Sequence, residues 1–344
     1  MKTLWSAAFA AVAFLYLAPG ELHAHHPSAG FGQGAAGSIV TISAATVPRK
    51  SWSFDLRADY LKFDRIEDSR LEELAAAGIE VHSVDDERSV FFSAGYGVTD
   101  DLSLGFHIPY IIRRGIREGH MEAGTPEVHV HGDSEGVGDL TLLGTWRFAR
   151  RESAGADVAL LFGLKLPTGS TKEKDRGGER FASEFQPGSG SWDPLIGVAA
   201  SRKWGAVSLD ASLLYALATK GAQETDLGDM LHFGAALSRR VVPGHSDSHG
   251  SHTIHSPEPG SRHSHTSWDF ILEAVGDRKG KQTVQGIKEA NSGGTTIMLS
   301  PGVRMNYYDK WSAYLSAGFP ILQDWNGTQH DVGYRILLGF NAGF

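Results

Sequence analysis

Cysteine is absent from all 344 residues, which excludes disulfides, thiolate metal sites, cysteine nucleophiles and a lipid-modified N-terminal cysteine. A basic excess is also missing. The chain carries 32 Lys and Arg against 40 Asp and Glu, a net charge of −8 scattered along its length, and this argues against nucleic acid as a partner. Beyond the first segment, no run of about 18 apolar residues escapes a charge or a break, so no spanning helix is expected there. Catalytic signatures are missing too: there is no H-E-x-x-H, no G-x-S-x-G and no P-loop. Gly32-x-Gly34-x-x-Gly37 matches a dinucleotide pattern, but it opens no helix after a strand. No enzyme is expected.

What is abundant is glycine, 42 residues, which is too much for a helical bundle. At the N-terminus Lys2, a mostly apolar run from Leu4 to Ala18, and Leu22-His23-Ala24 read as a signal peptide over residues 1–24. Residues 25–49 then read as an N-terminal periplasmic segment. The mature chain is expected to be exported to the bacterial outer membrane, in contact with its lipid.

From residue 50 onward the chain alternates apolar and polar residues with a period of two. Trp52, Phe54, Leu56, Ala58 and Tyr60 share one face against Ser53, Asp55, Arg57 and Asp59, and Val207 to Leu217 and Val332 to Phe344 repeat the pattern. Twelve such segments fall near 51–63, 89–98, 101–112, 138–149, 156–166, 190–201, 206–218, 229–241, 267–276, 295–307, 310–320 and 331–344. The reading is an all-β transmembrane antiparallel barrel over 50–344, with both termini on one side. Val98 to Asp101, Lys203 to Gly205 and Tyr308 to Lys310 are tight turns on the periplasmic side, as is a His-rich turn at 243–266. The odd-to-even connections, about 64–88, 113–137, 167–189, 219–228, 277–294 and 321–330, are mostly longer and are expected to face outward. In the first, Ser69 to Glu72 fits a capping box ahead of a short helix stopped by Gly78, with Leu71, Leu74 and Ala75 on one face. Trp52, Tyr60, Tyr110, Trp146, Phe148, Trp192, Tyr307, Trp311 and Phe319 cluster near strand ends as interfacial girdles do. The terminal Phe344 has the form of a signal to the barrel-assembly machinery.

The segments EGVGDLTLLGTWRF, LLFGLKLPTGSTKEK, EFQPGSGSWDPLIGVAASRKWG and SLDASLLYALATKGAQETDLGDMLHFGAALSRR resemble the MetA-pathway of phenol degradation family, as does the opening GSIVTISAATVPRKSWSFDLRADYLKF. The resemblance implies an outer-membrane barrel related to FadL-type channels for hydrophobic compounds. It departs from those channels in one respect: once the signal peptide is removed, only about 25 residues, His25 to Arg49, precede the first strand, which puts a full plug domain in doubt.

Taking the polar phase of each strand as inward places Asp55, Arg57, Asp59, His107, Asp139, Arg147, Lys165, Asp193, Asp210, His232, Asp269, Glu273, Arg304 and Arg335 in the lumen, because an unpaired Arg or Lys on the lipid face costs about 2–4 kcal/mol. Twelve strands should enclose a narrow or partly plugged passage for a small solute, hydrophobic or aromatic by the family resemblance. Pro167 and Gly169 in KLPTG, and Gln186 to Pro194, suit loop geometry at the outer rim. Histidine supplies an alternative. His245, His249, His252, His255, His263 and His265 crowd one connection, His25 and His26 begin the mature chain, and His129-x-His131 is a further pair. Imidazoles so spaced can ligate Zn, Cu, Ni or Co, so a barrel handling divalent metal is the second reading, with no cofactor required in the first. A third reading, an outer-rim hydrolase, would need Asp226, Asp229 and His232 to meet.

Overall fold

The computed structural model describes residues 38–241, 266–308 and 310–344. Residues 1–24, His25, His26 and the six histidines from His245 to His265 lie outside the described residues. The barrel strands are β1 (Trp52–Asp64), β2 (Asp86–Gly97), β3 (Leu102–Glu122), β4 (Leu140–Arg151), β5 (Ala156–Leu166), β6 (Asp193–Trp204), β7 (Val207–Ala216), β8 (Met230–Val241), β9 (Thr266–Lys279), β10 (Gly294–Tyr307), β11 (Trp311–Trp325) and β12 (Asp331–Gly343). Each pairs antiparallel with its neighbours in sequence, and β1 pairs with β12, so the twelve strands close into a ring without free edges. At the closing seam Trp52 and Phe344 exchange backbone hydrogen bonds of 2.8 and 2.9 Å.

The alternation in sequence becomes an alternation in exposure. Leu56, Val90, Leu142, Ile196, Phe270, Leu315 and Leu338 are exposed on the outside, a surface that only lipid can cover favourably, while Ser53, Asp55, Ser93, Asp210, Ser212, Glu273 and Arg304 are buried inside. Trp52, Tyr110, Trp146, Phe148, Trp192, Tyr307 and Phe319 are likewise exposed. No helix among the described residues is long and apolar enough to cross a membrane.

Three features differ from the sequence reading. First, β3 continues to Glu122, ten residues past its expected end, and pairs with an added strand, Thr125–Val137, to form a hairpin beyond the closed wall. Past the wall Ile116 and Arg117, neighbours in sequence, are both buried, Arg117 against Asp68 and Asp85, so no single face carries an apolar phase and the strand leaves no period-two trace. Second, the helix α1 (Asp68–Ala76) begins before Ser69 and has no side-chain cap, although Leu71, Leu74 and Ala75 are its buried face and Gly78 follows with φ 72°. Third, residues 38–47, expected in the periplasm, lie inside the barrel.

That internal segment forms a strap across the lumen. The Glu273 carboxylate, fully buried, accepts the amides of Ile39, Val40 and Thr41 at 2.9 to 3.1 Å. The Ser38 amide donates to Asp210 at 3.3 Å and its carbonyl accepts from Arg304 at 2.6 Å. Further along, Ser212 and Ser201 accept from Ile42 and Ala44, and Ser103 from Val47. A backbone without its own secondary structure can stay buried only when such acceptors satisfy it. The wall makes room for it: a Cβ at Gly302 would sit 2.7 Å from Ile39 Cδ1. Ile39 packs with Ile271, Tyr314 and Leu337, and Ile42 and Ala44 pack with Ala159, Leu161 and Ala199. A short segment thus occupies part of the lumen, which a residue count before β1 did not reveal.

Candidate functional site: lumen and outer mouth

The lumen is laced by ion pairs and hydrogen bonds. Toward the short-turn end, Asp55 accepts from the Tyr314 hydroxyl at 2.8 Å, and Asp269 holds Arg240 through two bonds of 2.7 and 2.9 Å and Asn306 through a third. Arg147 turns down to Asp101 at 2.8 Å, at the rim of this end. Higher up, Arg335 grips Asp59 through its Nε at 2.9 Å. Beside this pair Arg57 lies over the Phe91 ring at 4.4 Å, and Phe91 stacks on His107, whose Nδ1 is 3.2 Å from the Ser93 hydroxyl. His232 bonds Asp277 at 2.7 Å.

Asp139, Lys165 and Asp193 serve the outer rim instead. Lys165 bridges to Asp193 at 2.5 Å, and Asp139 accepts the amides of Gly169 and Ser189, tying down both ends of the 167–192 connection. The two glycine motifs of that connection cross backbone on backbone. The proposed hydrolytic trio is not assembled: Asp226 accepts from the Gly228 amide, Asp229 from Tyr215 and the Ala218 amide, and His232 takes Asp277.

Above the wall, the β3 hairpin, the short strand Val81–Ser83 and the 167–192 connection converge on a histidine cluster. Glu118 lies between two imidazoles, 3.4 Å from His82 Nε2 and 3.2 Å from His131 Nε2. The opposite nitrogens also face carboxylates: His82 Nδ1 is 3.4 Å from Glu184, and His131 Nδ1 is 3.1 Å from Asp175. His129 Nε2 reaches the same Asp175 oxygen at 3.5 Å, and its ring meets His120 at 5.7 Å between centroids. Burial works to raise the Glu118 carboxyl, but hydrogen bonds from His131 and His82 outweigh it and hold the group well below the ordinary carboxylate range. For His82 burial is opposed by Glu118 and Glu184, and the net direction is upward. His131 is raised chiefly by its bond to Glu118, with burial working against it and Asp175 adding to the rise.

Aromatic side chains underlie the cluster. Phe185 meets His82 edge-on at 4.9 Å and packs with Phe181, Val84 and Ile116, with Phe63 against them, and His330 meets Phe63 at 4.6 Å. Of these residues the sequence singled out only His129 and His131, by their spacing. His82, Glu118, Asp175 and Glu184 come from three separate connections and carry no local signal.

A closed antiparallel barrel with an apolar belt outside and a charged interior defines the class: an outer-membrane β-barrel. Residues 108–321 match the family described as "Putative MetA-pathway of phenol degradation", and the chain belongs to that family. No curated protein matches the chain. Among solved structures it is similar to the COG4313 outer membrane channel from Pseudomonas putida F1, at 16% identity and a TM-score of 0.52, over 88% of this chain and 98% of that one. The NanC porin follows at 7% identity and a TM-score of 0.44, covering 84% and 98%. The β domain of the Bordetella autotransporter BrkA gives 8% and 0.41, covering 86% and 98%.

Proposed function

We propose that the protein is an outer-membrane channel for a small hydrophobic or aromatic solute, with the strap as its closing element. The observation that carries this reading is the seating of residues 38–47 inside a closed ring, with three successive amides gathered on the Glu273 carboxylate: a lumen built merely to be filled has no need of a separate segment seated in this way. Twelve strands leave a passage narrower than that of large porins, which suits a small solute. Rings line the route inward, from Phe63 and His330 at the mouth to Phe91 and His107 in the lumen, and they favour aromatic over sugar-like solutes. The phenol-degradation family supports the same class. No reaction is required: the barrel lowers the barrier to crossing, lipid surrounds it, and the strand ending at Phe344 is the recognition element for the assembly machinery.

The test is conductance and flux. In planar bilayers the unaltered chain should show small, infrequent openings. Glu273→Ala, which strips three buried amides of their acceptor at about 1–3 kcal/mol each, should raise open probability several-fold. Liposomes should then release phenol or benzoate faster than a sugar of similar mass. A strap-released barrel that passes neither solute would overturn the reading.

A further inference from the structure

We propose that the outer mouth carries a site for a divalent transition-metal ion of the zinc type, bound by His82 Nε2, His131 Nε2 and Glu118. The three ligand atoms lie within 4.8 Å of one another, and all three side chains are half-buried, leaving room for a solvent molecule as fourth ligand. Two imidazoles and a carboxylate form a donor set that zinc, cobalt, nickel and copper accept and that calcium and magnesium do not favour.

A second arrangement points the same way. In metal sites the ring nitrogen that does not bind the ion usually donates to a carboxylate, which fixes the ring and its tautomer. Both histidines have that support here, His82 Nδ1 from Glu184 and His131 Nδ1 from Asp175. A plain salt-bridge network needs no such division of roles between the two nitrogens of each ring. At the edge of the cluster His120 Nδ1 is buried without a hydrogen-bond partner, while its Nε2 faces Glu122 at 3.5 Å. An alternative triad of His129, His131 and Asp175 shares His131, but there both rings converge on one oxygen and Glu118 would lose its role. Because the ligands come from the 65–85 connection and the β3 hairpin, with Asp175 and Glu184 on the 167–192 connection, a bound ion would fasten three outer segments together. This inference does not rest on the channel reading.

The experiment is cobalt titration of the full-length refolded barrel, followed by the visible ligand-field band and by calorimetry. A companion full-length chain in which His245, His249, His252, His255, His263 and His265 are all replaced by Ala removes the His-rich tract as a competing ligand. In that background one stoichiometric site is expected. His82→Ala, His131→Ala or Glu118→Gln should each abolish its band. Glu184→Gln should weaken binding by about 10–100-fold without removing a ligand, and His129→Ala should leave the band in place. Retained heat-modifiable migration on gels confirms that each variant still forms the barrel. Loss of all binding with the tract substitutions alone, or a band that survives His82→Ala and disappears with His129→Ala, overturns the assignment.

Discussion

Gly169 and Gly188 lie backbone against backbone: a Cβ on Gly169 would stand 2.7 Å from Gly188 Cα, and one on Gly188 would stand 2.5 Å from the Gly169 carbonyl carbon. The two glycines belong to LPTG and PGSG, the most specific motifs of the family resemblance, and their role is to let the ends of the 167–192 connection cross above Asp139. Neither has a left-handed backbone, so space and not φ is what forbids a side chain.

Gly169→Ala should therefore push the connection off the rim, at a cost of about 1–3 kcal/mol typical of overpacking. The clash involves backbone on both sides, which cannot rotate away. Limited trypsin digestion checks it: Arg176 and Arg180 should be cleaved faster than in the unaltered chain while the barrel stays resistant.

On β12, Leu337 is buried in the lumen and Leu338, one residue on, is 56% exposed on the outside. Leu338→Arg should destabilise the barrel in lipid vesicles by about 2–4 kcal/mol, the cost of a cation near mid-membrane. Urea unfolding in vesicles measures it, and a near-neutral result would mean that this face does not meet lipid.

Absence of cysteine makes orientation easy to read. Lys288 sits in the long connection after β9 and Ala206 in the tight turn after β6, both exposed. In intact cells a membrane-impermeant maleimide should label Lys288→Cys and spare Ala206→Cys until the outer membrane is opened. The reverse pattern would invert the barrel.

The wall was readable from sequence because lipid and lumen impose opposite demands on alternate residues, so each of the twelve strands carries its own period-two signature. Where one of those demands is absent, legibility ends. Arg113 to Glu122 stay in strand conformation beyond the wall, where α1 and the strand Val81–Ser83 cover part of them and the adjacent Ile116 and Arg117 are both buried, and they leave no alternation. The strap from Ser38 to Val47 mixes apolar and hydroxyl residues without a regular period, and its backbone is satisfied by Glu273, Ser212, Ser201 and Ser103, residues remote in sequence. Of the histidine cluster, only the i, i+2 pair on one strand was visible. His82 and Glu118 are brought to His131 by a hairpin and a three-residue strand that the sequence did not announce.

The strap precedes every wall strand in sequence, yet its partners are spread far along the chain. Its partners sit on β3, β6, β7, β9 and β10, so full seating has to wait until nearly the whole wall exists. A barrel caught midway through assembly, with β9 and β10 still unpaired, is then an open trough with a loose leading end. In the finished fold the seat of the strap and the β1–β12 seam therefore both depend on strands far along the chain.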